Sequence, residues 1–169
     1  VPRALAPQAL ETSRQYGSLT PEVQAALDKL DLAGKDPASF QIGSVIFANK
    51  PGDGSAREQA ASCQRVLGGC ANICYEFATK RYRSNCVNWG MLPFTLAEGD
   101  KFNAVPGDFI YVPDVKAKVI AGDDTFPALC VGEKGVTPIT LYLKNTTGEE
   151  RELLLTGCLM NHYAAQNKA

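Results

Sequence analysis

The chain lacks the features that would place it in several large functional classes. No apolar run is long enough to cross a bilayer, which excludes a transmembrane helix at the level of sequence. No basic stripe or basic amphipathic segment is present and the net charge is −1, so neither nucleic acid nor a membrane surface is an expected partner. The N-terminus, Val1-Pro2-Arg3-Ala4, has neither the charged nor the apolar region of a secretory leader. It also lacks an initiator Met, which reads as a piece of a longer protein or a processed start. The six cysteines (Cys63, Cys70, Cys74, Cys86, Cys130 and Cys158) contain no C-x-x-C pair, so they read as packing residues rather than metal ligands. Without an export signal they are expected to be reduced thiols of a cytoplasmic protein. There is no internal repeat and no low-complexity tract.

What remains is one domain's worth of chain, 169 residues and 45% hydrophobic, enough for a core. Residues 1–20, with Pro2, Pro7 and Gly17, read as a linker or arm. Thr20-Pro21-Glu22 starts a helix with a capping hydroxyl and proline in the first turn. Val23, Ala26, Leu27 and Leu30 give that helix an apolar face, and Gly34 to Pro37 ends it. Ser39–Ala48 reads as a buried strand, followed by a helix from about Ala56 to Leu67 with Ala56, Ala60, Cys63 and Leu67 on one face. Residues 71–77 alternate as a strand, and Ala78–Asn88 is a second helix. Further strands are expected at Asp108–Val112, Val115–Ile120, Ile139–Leu143 and Glu150–Leu155. Turns are expected at Gly122-Asp123, Gly132–Gly135 and Asn145–Gly148, and a short helix over Cys158–Gln166. The order predicts an α/β domain with a mixed sheet, one strand–helix–strand crossover and a β-rich second half.

The chemistry concentrates in Gly52-Asp53-Gly54-Ser55-Ala56-Arg57-Glu58, which joins a strand to a helix. One reading is local: Ser55 and Glu58 have capping-box spacing, and glycines permit a sharp turn. The other uses the same place for a ligand, because a helix N-terminus offers unpaired amides and the positive end of its dipole. Arg57 is unfavourable beside that dipole unless an anion joins it, and a guanidinium grips a carboxylate bidentately. The loop is not a dinucleotide fingerprint, since Arg57 stands where a third glycine is needed, and it lacks a P-loop lysine.

Gly54-Ser55-Ala56-Arg57-Glu58-Gln59-Ala60-Ala61 resembles the Gly-Ser-Ser-Arg-Glu segment of the swivel domain of the aconitase superfamily. In the same order follow Leu67-Gly68-Gly69, Glu76-Phe77-Ala78, Ser84-Asn85, Asn88 to Phe94, Gly107-Asp108 and Gly157 to Asn161, so the resemblance spans about residues 42–163. It implies a swivelling β/β/α domain over 39–169, preceded by an arm and helix over 1–38. It also implies that Ser55 is the base that removes a proton beside a carboxylate, and that Arg57 binds a carboxylate of a hydroxy polycarboxylate. Gly54 and Ala56 would line the same subsite. The cofactor implied is a 4Fe–4S cluster ligated outside this chain, by cluster-bearing domains that are fused or separate. Ala56 replaces the family's second serine, which favours altered substrate choice. The segment between Phe77 and Asn85 is one residue longer than the family pattern, and an upstream Thr-Asp-His strand and a further arginine have no match in residues 1–41. The chain alone is therefore not expected to catalyse a reaction.

Two alternatives stand beside this reading: a small subunit of the 3-isopropylmalate dehydratase or homoaconitase type, and a binding module whose chemistry has lapsed. His162 reads as a surface helix residue, Asp123-Asp124 as a solvated turn, and Lys80-Arg81-Tyr82-Arg83 as a solvated helix face. Tyr75 and Trp89 read as core or interface residues.

Overall fold

The computed structural model describes residues 21–30 and 41–166. The expected arm over 1–20, Thr20 as a cap and the Gly34–Pro37 helix end lie outside them. The elements in chain order are α1 (Pro21–Lys29), β1 (Ser44–Ala48), α2 (Arg57–Val66), β2 (Gly69–Cys74), α3 (Lys80–Asn88) and β3 (Leu92–Thr95). They continue with β4 (Phe109–Tyr111), α4 (Val115–Ala121), β5 (Thr125–Gly132), β6 (Gly135–Tyr142), α5 (Gly148–Thr156) and α6 (Leu159–Gln166). One six-stranded sheet has the order β1-β2-β3-β6-β5-β4. β1, β2 and β3 are parallel, and the other pairings are antiparallel. The mixed α/β sheet expected from sequence is present. Its parallel half holds two crossovers, through α2 and α3, where one was expected, because Leu92–Thr95 closes a second unit.

Successive residues of a strand face opposite sides, and β2 shows this division directly. Ile73 packs with Phe94, Leu96, Val119, Phe126, Ala128, Leu141 and Leu143 in the main core. Its neighbour Asn72, 1% exposed, turns to the helices α2 and α3. There a smaller cluster of Ala61, Tyr82, Cys86 and Met91 lies under Phe77 and Trp89. α2 meets this partly polar surface with Ala61 and Gln64. Ala56, Ala60, Cys63 and Leu67, the face expected to be buried, are exposed.

Two expected strands are helices. Val115–Ile120 has strand-like alternation, but Asp114 at φ 52° and Gly122 at φ 85° bracket a short helix that buries Val119. Glu150–Leu155 lies in α5, started by a capping box in which Thr147 accepts from the Glu150 amide and Glu150 accepts from the Thr147 amide. Conversely, β5 carries Pro127 and was not expected from sequence. β4 pairs with β5 only at Leu129 to Val131, so the missing amide of Pro127 interrupts no ladder on that side.

α3 and α5 meet at two glycines from separate motifs. A Cβ on Gly90, whose φ is +66°, would lie 1.9 Å from the Gly157 carbonyl oxygen. Arg83 fastens the same helices by bonding the Glu150 carboxylate at 2.8 Å, Thr146 Oγ1 at 2.9 Å and the carbonyls of Lys144 and Asn145. Replacing Gly90 with Ala therefore sets a side chain against backbone and adds left-handed strain. We expect a loss of more than about 3 kcal/mol, read from chemical denaturation of the full-length protein, with Gly107→Ala costing about 1–2 kcal/mol because only the strain applies.

Candidate functional site

The Gly52–Glu58 loop leaves the carboxyl end of β1 and enters α2. Ligands of open α/β sheets bind in this region, beyond the carboxyl ends of parallel strands. The loop is held to the segment after β2 by consecutive interactions. The Asn49 carbonyl accepts from the amides of Tyr75 and Glu76 at 3.2 and 3.3 Å, and the Pro51 carbonyl accepts from Ala78 at 2.9 Å. Lys50 pairs with Glu76 at 2.8 Å. The Gly52 carbonyl accepts from Thr79 Oγ1 and from Arg57 Nε, each at 3.1 Å.

The two glycines of the loop differ. Gly52 has φ +95°, and a Cβ there would lie 2.4 Å from Tyr82 Cβ. Both its conformation and its seat against α3 require glycine. A Cβ on Gly54 would meet nothing within 4 Å. The fold of this chain sets no requirement for glycine at 54.

Ser55 is exposed, and its side chain has no hydrogen-bond partner among the described residues. The expected capping box at Ser55 and Glu58 is not formed. The N-cap of α2 is Ala56, and no side chain caps the first turn. Glu58 instead accepts from Trp89 Nε1 at 3.0 Å. Arg57 is half-buried, with Nε fixed on Gly52 and its two Nη groups donating to nothing among the described residues. Ser55, Ala56 and Arg57 are thus brought together, with the serine and the Nη end of the arginine free of partners among the described residues.

A closed polar triangle lies beneath. Gln64 Nε2 donates to Tyr82 Oη at 2.7 Å, Tyr82 Oη to Asn72 Oδ1 at 3.2 Å, and Asn72 Nδ2 to Gln64 Oε1 at 2.9 Å. Burial pushes the Tyr82 phenol up to about 12, with nearby Cys86 adding to the effect. Burial likewise pushes the Cys74 and Cys86 thiols up to about 12, and raises those of Cys70 and Cys130.

Other candidates resolve differently. His162 is 7% exposed rather than on the surface, and its Nε2 pairs with Gln166 Nε2 at 2.9 Å. Asp123 and Asp124 are tied to Lys118 at 3.4 Å and to Arg151 at 2.8 Å. In the basic cluster Lys80 and Arg81 are exposed as expected, whereas Tyr82 and Arg83 turn inward to the contacts above. Tyr75 Oη accepts from the Phe102 amide at 3.2 Å. Thr79 was missed by sequence reasoning, although its N-cap position before α3 was a usable signal. Among the described residues no three His, Cys, Asp or Glu side chains form a group able to hold a metal ion, so they do not fit a 4Fe–4S cluster. No described helix is long and apolar enough to cross a membrane.

The fold and site define an α/β domain that presents a serine–arginine loop at the carboxyl end of its parallel strands. Residues 20–99 match the model of the aconitase C-terminal domain. The chain is 41% identical over 66 residues to aconitate hydratase A of Bradyrhizobium diazoefficiens, covering 38% of this chain and 7% of that protein. It is 36% identical over 126 residues to the 3-isopropylmalate dehydratase small subunit of Metallosphaera sedula, covering 74% of this chain and 73% of that one. The chain belongs to the aconitase C-terminal domain family.

Two measurements follow. Gly52→Ala is expected to destabilise the protein by more than about 2 kcal/mol, whereas Gly54→Ala stays within about 0.5 kcal/mol of the parent in thermal or urea unfolding. For pH, the raised values of Cys74, Cys86 and Tyr82 mean that folding favours their neutral forms. Their contribution is full below the ordinary values of 9.0 and 10.0 and is lost as pH rises toward about 12. The unfolding midpoint should therefore fall steadily above pH 9.0, and Cys86→Ala should flatten part of that fall.

Proposed function

We propose that this chain supplies the base and a carboxylate-binding arginine to an aconitase-type hydro-lyase that dehydrates and rehydrates a hydroxy polycarboxylate. The observation that carries this reading is the pairing, on the loop at the carboxyl end of β1, of an exposed Ser55 with an Arg57 whose Nη groups, like the serine hydroxyl, have no hydrogen-bond partner among the described residues. Arg57 binds a carboxylate through its two Nη donors and fixes the adjacent carbon against Ser55. Ser55 Oγ takes the proton from that carbon during dehydration and returns it during hydration. A serine is a weak base, and the uncapped start of α2 with the Arg57 charge favours its anion. Gly54 leaves room for the substrate at the place where a Cβ meets nothing within 4 Å among the described residues. A 4Fe–4S cluster enters this reading only as a group ligated outside the chain.

The span of the matches favours a particular architecture. The alignment to the small subunit covers about three-quarters of both chains, whereas that to the hydratase covers 7% of its length. A separate large subunit bearing the cluster is therefore a second arrangement alongside a fused enzyme. A lapsed binding module is disfavoured because Ser55 and Arg57 are both kept. Ala56 removes a hydroxyl from the subsite, which favours a substrate that makes no hydrogen bond there.

The test is turnover of citrate, isocitrate, methylcitrate and 3-isopropylmalate by the complete enzyme, followed by absorbance of the unsaturated acid. Ser55→Ala should lower kcat by about 10²–10⁴-fold with little change in KM. Arg57→Lys should raise KM by about 10- to 100-fold, since a lysine keeps the charge and loses the fork. Turnover unaffected by both substitutions would refute the assignment.

A further inference from the structure

We infer that Thr79 is a positioning residue for Arg57, acting through the carbonyl oxygen of Gly52. The inference rests on the reading of Arg57 as the carboxylate-binding group.

The Gly52 oxygen is a shared acceptor, with Arg57 Nε and Thr79 Oγ1 each 3.1 Å away. A threonine hydroxyl has one proton to give. Thr79 is the N-cap of α3, where its oxygen accepts from the Tyr82 amide at 3.2 Å, and its proton goes to Gly52. One hydroxyl therefore fixes the start of α3 and the loop carbonyl together. The carbonyl has little freedom to move away from α3. The neighbouring Pro51 carbonyl is bonded to the Ala78 amide, and Gly52 sits where even a Cβ would collide with Tyr82. Tyr82 is itself held through its hydroxyl by Gln64 of α2 and Asn72 of β2. Arg57 thus takes its orientation from a point fixed by β2, α2 and α3.

This arrangement has a chemical consequence. With Nε committed to Gly52, the Nε-side edge of the guanidinium is closed to a ligand. Only the end bearing Nη1 and Nη2 is open, so a carboxylate must dock end-on. Thr79 touches no substrate in this scheme and sets the angle from which the arginine meets it.

The test uses the complete enzyme with Thr79→Val, which keeps the shape and removes the hydroxyl, and Thr79→Ser, which keeps the hydroxyl. Thr79→Val should raise KM about ten-fold while kcat changes less than about three-fold. Substrate-free hydrogen–deuterium exchange should show faster uptake in the peptide covering residues 52–58. Thr79→Ser should return both quantities to within about two-fold of the parent. A Thr79→Val protein with a lowered unfolding midpoint but unchanged KM and unchanged exchange at 52–58 would overturn the inference, leaving the residue as a helix cap only. If the parent enzyme turns over none of the hydroxy acids, the reading of the site fails separately. The exchange data then decide the clamp alone: faster uptake in Thr79→Val but not Thr79→Ser supports it, and equal uptake overturns it.

Discussion

The hydrogen bonding of the two loops that follow β1 and β2 is the constraint on which the candidate site depends. The carbonyls of Asn49, Pro51 and Gly52 are all used by residues 75–79 or by Arg57. Pairing between the two strands thus continues past their ends as irregular backbone, whose carbonyls keep finding donors in the neighbouring loop. A loop free to move on its own would offer Ser55 and Arg57 in many arrangements. This one is fixed on one side by α3 and on the other by the helix it starts. The resemblance at Glu76-Phe77-Ala78, distant in sequence from Ser55, has a physical basis here: the Glu76 and Ala78 amides are donors to the loop.

The two faces of the sheet serve different ends. The larger face holds aliphatic and aromatic side chains, with Phe94 and Phe126 meeting edge-on at 5.2 Å. Nondirectional burial of this kind stabilises the fold and tolerates some repacking. The face under the site holds the Gln64–Tyr82–Asn72 triangle, which specifies distances and angles. A buried polar network carries a high penalty when incomplete. Among the described residues, no buried side-chain nitrogen or oxygen lacks a partner. α2 therefore turns Ala61 and Gln64 inward and leaves Ala60, Cys63 and Leu67 outside, contrary to a simple count of apolar residues.

The legible parts of the sequence were those whose signals are local and unopposed. The parallel unit around α2 was readable because Val45-Ile46-Phe47 precedes a helix that ends at Gly68 and a strand that alternates after it, whereas Leu92–Thr95, which closes the unit around α3, is four residues holding Pro93 and was not read as a strand. Of the hairpin of β5 and β6, the turn and the second half of β6 were visible, while Pro127 and Pro138 argue against strands in the rest unless the pairing of their neighbours is known. The strand readings at 115–120 and 150–155 failed for a related reason. A six-residue segment with apolar residues fits either structure, and the deciding features were caps: Asp114 and Gly122 for one, Thr147 and Glu150 for the other. Ser55/Glu58 and Thr147/Glu150 share capping-box spacing, and of these two only the second forms the box. Glu58 has a competing donor in Trp89, which spacing along the chain cannot reveal.

The sequence by itself determined the class of domain, the place of the serine–arginine loop before a helix, and the family to which its ordered motifs belong. These follow from residue types at short spacings. Tertiary structure alone decided what the loop residues are free to do. Ser55 became an unpartnered hydroxyl because the cap position fell to Ala56. Arg57 became a one-ended guanidinium because Gly52 holds its Nε. Thr79 gained a part because α3 packs against a loop 27 residues earlier. Hydrogen bonds are short-ranged and directional, so which donor meets which acceptor is settled by folding rather than by neighbourhood along the chain.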